Sequence, residues 1–191
     1  MKQFLNEVKN NHIDSLRVPK KDNTEHGLDE QIKQISKIAN ILSKEYQSAI
    51  SDNDRRTILE SIRREIRNAT DIYLKKLNTD YEAQYHQHEI EKNTVLEHTI
   101  PLNQLCSSWF RGDLTFQELI RMPTCRLRKR QAKKVDSRSK NKNTNLEYPF
   151  RRYAGIVDVI FRKDGKKIDP ITYSIQEHIK YFINDQLVDE V

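Results

Sequence analysis

Two long stretches with a helical spacing of apolar residues constrain the fold of this chain more than any other feature. In each stretch an apolar residue recurs every three or four positions, which places these side chains on one face of an α-helix. The first stretch carries Leu28, Ile32, Ile35, Ile38, Leu42, Tyr46 and Ala49, and the second carries Ile58, Ile62, Ile66, Ala69, Tyr73 and Leu77. The polar run Ser51-Asp52-Asn53-Asp54 separates them and supplies capping residues. The pattern predicts a long antiparallel helical hairpin.

The remainder of the chain mixes short helices with a small β element. A capping box, Thr115-Phe116-Gln117-Glu118, precedes one short helix, and Ser174-Ile175-Gln176-Glu177 opens the last helix. The β-rich run Gly155–Phe161 is followed by Asp164-Gly165, a hairpin signal. We therefore expect a mainly α fold with a small β element (α+β). Its segments are a flexible arm over 1–26, the hairpin over 27–92, and a compact α+β domain over 93–191. Residues Tyr81–Ile90, with the pair His86 and His88, are expected to extend the second helix or to begin a third.

Composition excludes several classes of protein. Only 4 of the 191 residues are glycine, and neither phosphate-binding glycine motif is present, which argues against nucleotide-dependent chemistry. No apolar run approaches the roughly eighteen residues of a membrane span. The N-terminus turns polar too early for a secretory signal. We expect a cytoplasmic protein without a membrane partner, in which Cys106 and Cys125 are buried thiols.

Positive charge is concentrated in one segment of the chain. The whole chain carries +6, but residues 126–142 alone carry +8, which leaves −2 for the rest. Nucleic acid, DNA or RNA, is the polyanion that such a segment would bind through its phosphates. A solvated surface is the alternative. The candidate contact residues are Arg126, Arg128, Lys129, Arg130, Lys133, Lys134, Arg138, Lys140, Arg151 and Arg152. Nearby, Tyr148, Phe150 and Tyr153 could stack on bases, although core aromatics are the commoner role.

The run Leu96-Glu97-His98-Thr99-Ile100-Pro101 is the strongest candidate for a chemical site. A carboxylate can hold a hard cation such as Mg²⁺, and a neutral histidine can accept a proton from water. Adjacent side chains on a strand point to opposite faces, so Glu97 and His98 can share a site only if the chain turns there.

The order acidic-His-x-x-Pro resembles the first motif of HNH (ββα-metal) nucleases of phage and bacterial type. The wider resemblance covers about residues 94–158 and includes Leu127–Val135 and Phe150–Ile156. It implies a divalent-metal DNA endonuclease or nickase, in which His98 is the general base and Glu97 binds Mg²⁺ or a similar ion. If so, the ring of His98 should be open to solvent and should face the basic helix that we expect at Arg128–Lys134.

The chain also departs from the pattern of that family. Its middle asparagine has no counterpart at the expected spacing, and Gln131 and Ala132 stand where its last histidine would lie. Either Asp113, Glu118 or Asp136 replaces the missing ligand, or the chain binds nucleic acid without cutting it. A third alternative is a module whose helical hairpin binds another helix.

Overall fold

A computed structural model describes residues 24–77, 81–84, 94–139, 146–157 and 159–187. The order of elements in these residues is α1 (Glu25–Ser48), α2 (Asp52–Leu77), β1 (Tyr81–Gln84), β2 (Thr94–His98), α3 (Leu102–Phe110), α4 (Phe116–Ile120), β3 (Thr124–Arg128), α5 (Lys129–Ser139), a 3₁₀ turn (Arg151–Tyr153), β4 (Val159–Arg162), β5 (Lys167–Ile168) and α6 (Ile175–Leu187). The described chain is therefore mostly helical with a small sheet, which confirms the expected fold class. None of the described helices is long and apolar enough to cross a bilayer.

The chain divides into two compact units, one helical and one built on the sheet. The helical unit combines residues up to Leu77 with Trp109–Arg121. Its hairpin packs α1 against α2 along the predicted apolar faces, where Ala39, Ile62 and Ile66 are fully buried. Helix α4 packs on α2, and the rings of Tyr46 and Phe110 stack with centroids 4.9 Å apart. The hairpin interpretation is confirmed.

The second unit contains Asn78–Ser108 and Met122–Val191 and holds a mixed sheet of five strands in the order β2-β3-β1-β4-β5. Strand β3 pairs antiparallel with β2 and parallel with β1, and β4 pairs antiparallel with β1 and with β5. Strand β2 is thus one edge of the sheet in the described residues. The β4–β5 turn contains Gly165 with φ 84°, a conformation that glycine adopts without strain. The Asp164-Gly165 hairpin signal is therefore confirmed.

The core of this unit lies on one face of the sheet. Helix α5 covers that face with Ala132 and Val135, and it contacts both β2 and β3. Phe150, which precedes the 3₁₀ turn, and Tyr153, its last residue, are fully buried in the same cluster. The ring of Phe150 also meets that of Tyr173, with centroids 5.8 Å apart. Helix α5 begins directly after β3, which ends at Arg128.

Several sequence interpretations can be compared directly with the described residues. Both capping boxes are present, at Thr115–Glu118 and Ser174–Glu177. Cys106 and Cys125 are buried thiols that are not joined in a disulfide, as expected. The helical interpretation of Tyr81–Gln84 is wrong, because these residues form β1 between β3 and β4. Residues 1–23 of the expected arm and the pair His86 and His88 lie outside the described residues. The arm prediction is wrong for residues 24–26, because Thr24 caps α1 and the helix begins at Glu25. The polar run Ser137–Asn145 predicts a flexible loop, which is wrong for residues 137–139, because these belong to α5; residues 140–145 are not described.

Candidate nucleic-acid interface

The Glu97-His98 motif lies at the end of an edge strand. Pairing of β2 with β3 continues through His98, which stands opposite Thr124, while Glu97 stands opposite Cys125. Paired residues of an antiparallel ladder share a face, and successive residues alternate. Glu97 therefore lies on the face of Cys125, which α5 covers, and His98 lies on the other face. The turn that would let both side chains enter one site begins only after His98, at Thr99.

Both motif residues are half-buried. His98 is thus not fully enclosed in the core. Regular strand geometry does not direct its ring toward the basic helix, because α5 packs on the face opposite to His98. Burial is the main cause of the raised pKa of the Tyr153 phenol, and the negative charge of Glu97, on the α5 side, adds a minor contribution in the same direction.

Arg152 lies inside the sheet unit and supports the end of β2. Its side chain is only 3% exposed, and its Nη2 donates a hydrogen bond to the His98 carbonyl at 2.5 Å. The amide of Thr99 donates to Pro123 O, so the ladder alternation leaves the His98 carbonyl pointing away from β3. Arg152 therefore donates a hydrogen bond to a backbone carbonyl that points away from the sheet at its edge. Because Arg152 is buried, it cannot serve as a surface contact for nucleic acid, which corrects its placement among the candidate contacts.

Tyr153 shares this buried environment with Arg152. Burial raises the pKa of the Tyr153 phenol well above its usual value, and the nearby charge of Arg152 opposes that rise. The guanidinium of Arg152 lies 5.3 Å from the centre of the Tyr153 ring. Phe150 and Tyr153 are fully buried and therefore cannot stack on bases, so they are core aromatics. Tyr148 is half-buried, and the guanidinium of Arg151 lies 4.3 Å from its ring centre.

Helix α5 presents the largest part of the basic segment to solvent. Gln131, Ala132 and Val135 are buried and fix the inner side of the helix. Four cations lie on its exposed side, and we call them the basic face: Lys129, Arg130, Lys133 and Lys134. Strand β3 contributes Arg126 and Arg128, which are half-buried, and Arg151 is exposed. The side chain of Arg138 and all of Lys140 lie outside the described residues.

The described residues do not assemble a metal-binding set. They contain no group of three or more His, Cys, Asp and Glu side chains that could hold a metal ion. Each proposed substitute ligand has another polar neighbour. Asp113 accepts hydrogen bonds from Arg111, and Glu118 completes the capping box with Thr115. Asp136 is exposed and lies 3.9 Å from the Arg152 guanidinium. Glu97 therefore does not fit, within this part of the chain, as one member of a closed Mg²⁺ site.

Gln131, which stands where the HNH family would place its last histidine, has a structural role in this chain. Its Oε1 accepts a hydrogen bond from the backbone N–H of Arg128 at 3.0 Å, which caps the start of α5. A glutamine three residues after the N-cap residue is a known capping signal, so the sequence contained the information. Arg152 offered no comparable signal, because its burial depends on a fold that brings residue 152 to the end of β2.

Comparisons with protein-family models, with curated proteins and with solved structures found no match to this chain.

Proposed function

We propose that this protein binds nucleic acid through the basic face of α5. The observation that carries the proposal is the division of the helix into two sides. One side packs on the sheet through Gln131, Ala132 and Val135, and the other exposes four cations. A helix held in this way offers its charges on a rigid support, so little ordering is needed when a polyanion binds.

The spacing of the basic face suits a series of phosphates. Lys129 and Arg130 form one pair, and Lys133 and Lys134 form a second pair four residues later. Four residues of α-helix rise about 6 Å, so the two pairs meet successive charges along a backbone. Contacts of this kind position a protein on nucleic acid without reading base sequence. We therefore expect strong dependence on salt and weak dependence on sequence.

The test is the salt dependence of affinity for a short DNA duplex. Each phosphate neutralised adds about 0.9 to the slope of log affinity against log salt. Replacing all four residues of the basic face by Gln should therefore lower the slope by about 3 to 4. The matched control replaces four exposed cations of the helical unit by Gln: Lys37, Lys44, Arg56 and Arg67. The control should change the slope by less than about one.

Two results would count against the proposal. The first is no measurable affinity of the wild-type protein for duplex or single strand at low salt. The second is an equal loss of slope in the control, which would mean that the whole chain attracts DNA without a defined interface.

We also propose, as a second candidate, a nuclease of HNH type with His98 as general base. The observation that favours it is the order β2, antiparallel β3, then α5 packed on both strands, which is the ββα arrangement that the sequence resemblance implies. Nicking of supercoiled plasmid with Mg²⁺ or Mn²⁺ tests it, with His98→Ala as the comparison. Equal nicking by both proteins, or by neither, would rule out His98 as the base.

A further inference from the structure

The start of α5 has the opposite charge pattern from the one that stabilises a helix. Arg128 occupies the N-cap position, Lys129 and Arg130 follow, and the first turn contains no acidic residue. The N-terminus of a helix carries the positive end of its dipole, so each cation there is electrostatically unfavourable. Three cations in sequence at this end create a positive potential that the first turn itself does not neutralise.

The backbone donors at this end also lack acceptors within the helix itself. The first N–H groups of an α-helix have no partner within the helix. The N–H of Arg128 donates to Gln131 Oε1, whereas an arginine side chain has no acceptor with which to cap the turn. The N–H groups of Lys129, Arg130 and Gln131 are therefore the donors that this turn can offer to an anion.

A second and independent observation comes from the side chain of Gln131. The residue is 5% exposed, and its Nε2 is buried with no hydrogen-bond partner among the described residues. Because Oε1 of the same amide reaches the Arg128 N–H, this amide lies at the helix N-terminus. An unpaired buried donor destabilises the fold, and an anionic oxygen at this place would accept its hydrogen bond.

We propose that the first turn of α5 is a discrete binding site for one phosphate group of a nucleic acid. Backbone N–H groups of residues 129–131 and Gln131 Nε2 supply donors, and Lys129 and Arg130 supply charge. This inference rests on the nucleic-acid binding proposed above and adds that one phosphate is held more tightly than the others. The phosphate is either an internal phosphodiester or a terminal phosphomonoester.

Two double variants with the same change in charge test the site. Lys129→Gln/Arg130→Gln alters the first turn, and Lys133→Gln/Lys134→Gln alters the next turn of the same basic face. We expect the first pair to lose about tenfold more affinity for a short oligonucleotide than the second. Equal losses would overturn the discrete site and leave the proposed function standing. No loss in either variant would overturn both.

Gln131→Glu tests the Nε2 donor of Gln131 without removing the cap that its Oε1 provides. A glutamate at this position still caps the N–H of Arg128, but it replaces the Nε2 donor by a negative charge. We expect a loss of about tenfold in oligonucleotide affinity. The matched control is Gln117→Glu on α4, an exposed position that introduces the same charge. Wild-type affinity in Gln131→Glu, or an equal loss in Gln117→Glu, would contradict the site.

Titration of the wild-type protein with inorganic phosphate keeps the test independent of how the variants fold. In amide NMR spectra, the N–H signals of residues 129–131 should shift most and should saturate. Shifts spread evenly over α5, or absent from its first turn, would overturn the proposal. Oligonucleotides with and without a 5′-terminal phosphate then identify the source. Tighter binding of the phosphorylated strand assigns the site to a terminal phosphomonoester, and equal binding assigns it to an internal phosphodiester.

Discussion

Replacement of Arg152 by Met should change the stability of the sheet unit only slightly, although Arg152 is almost fully buried. The variant loses the charged hydrogen bond to the His98 carbonyl, which contributes about 1.5–3 kcal/mol. The contact with the exposed Asp136 at 3.9 Å adds at most about 1 kcal/mol. Against this loss, Met removes a buried guanidinium whose Nε has no hydrogen-bond partner among the described residues. Removal of that unpaired donor should stabilise the fold by about 1–3 kcal/mol. The net loss should be about 1 kcal/mol or less.

Arg152→Ala provides the comparison, because it also removes the packing of the side-chain stem. That variant should lose about 2–3 kcal/mol more than Arg152→Met. Urea unfolding followed by far-UV circular dichroism measures both free energies, provided that the denaturant slopes match that of the wild-type protein. A loss above about 3 kcal/mol in Arg152→Met would refute the reasoning, since the charge would then stabilise the fold far more than its single short contact predicts.

Three further predictions concern the helices and the β4–β5 turn. Thr115→Ala removes the side-chain acceptor of a capping box and should cost about 1 kcal/mol in urea unfolding. Ile62→Ala creates a cavity at a fully buried position of the hairpin and should cost about 2–5 kcal/mol, whereas Ile62→Val should cost about 1 kcal/mol. The Arg162 side chain holds the pKa of Asp164 below its usual value, so the stabilisation is complete above about pH 4 and is lost as pH falls through the lowered pKa. Asp164→Asn should therefore flatten the acid part of the stability curve, and an unchanged curve would contradict this assignment.

Local patterns of the sequence were sufficient for the elements that local interactions determine. The periodicity of Ile58–Leu77, both capping boxes and the Asp164-Gly165 turn depend on residues a few positions apart, and all are present. Strand β1 is different, because its partners β3 and β4 lie far away in the sequence. Four residues are too few to show a clear alternation of apolar and polar side chains. The sequence next to α2 therefore looked like a continuation of that helix.

The candidate site was predictable to a similar extent. The exposed cations of α5 follow from charge and helical period, both visible in the sequence. The burial of Arg152 and the opposite directions of Glu97 and His98 depend on where β2 ends and on which face α5 covers. Neither fact follows from residues near the motif, because each depends on long-range pairing.

The division of the chain into units has a consequence for how the protein is made and dissected. The helical unit contains Trp109–Arg121, a segment that the chain supplies only after β1, β2 and most of α3. During synthesis, α1 and α2 emerge first, but the helix that packs on α2 follows only after α3. A fragment that ends at residue 77 would therefore lack part of its own core. One that begins at residue 78 would carry Phe116, Leu119 and Ile120, which are buried in the whole chain, without the helix on which α4 packs. Neither fragment is expected to fold stably on its own. Nucleic-acid binding should therefore be mapped with point variants of the whole chain and not with deletions.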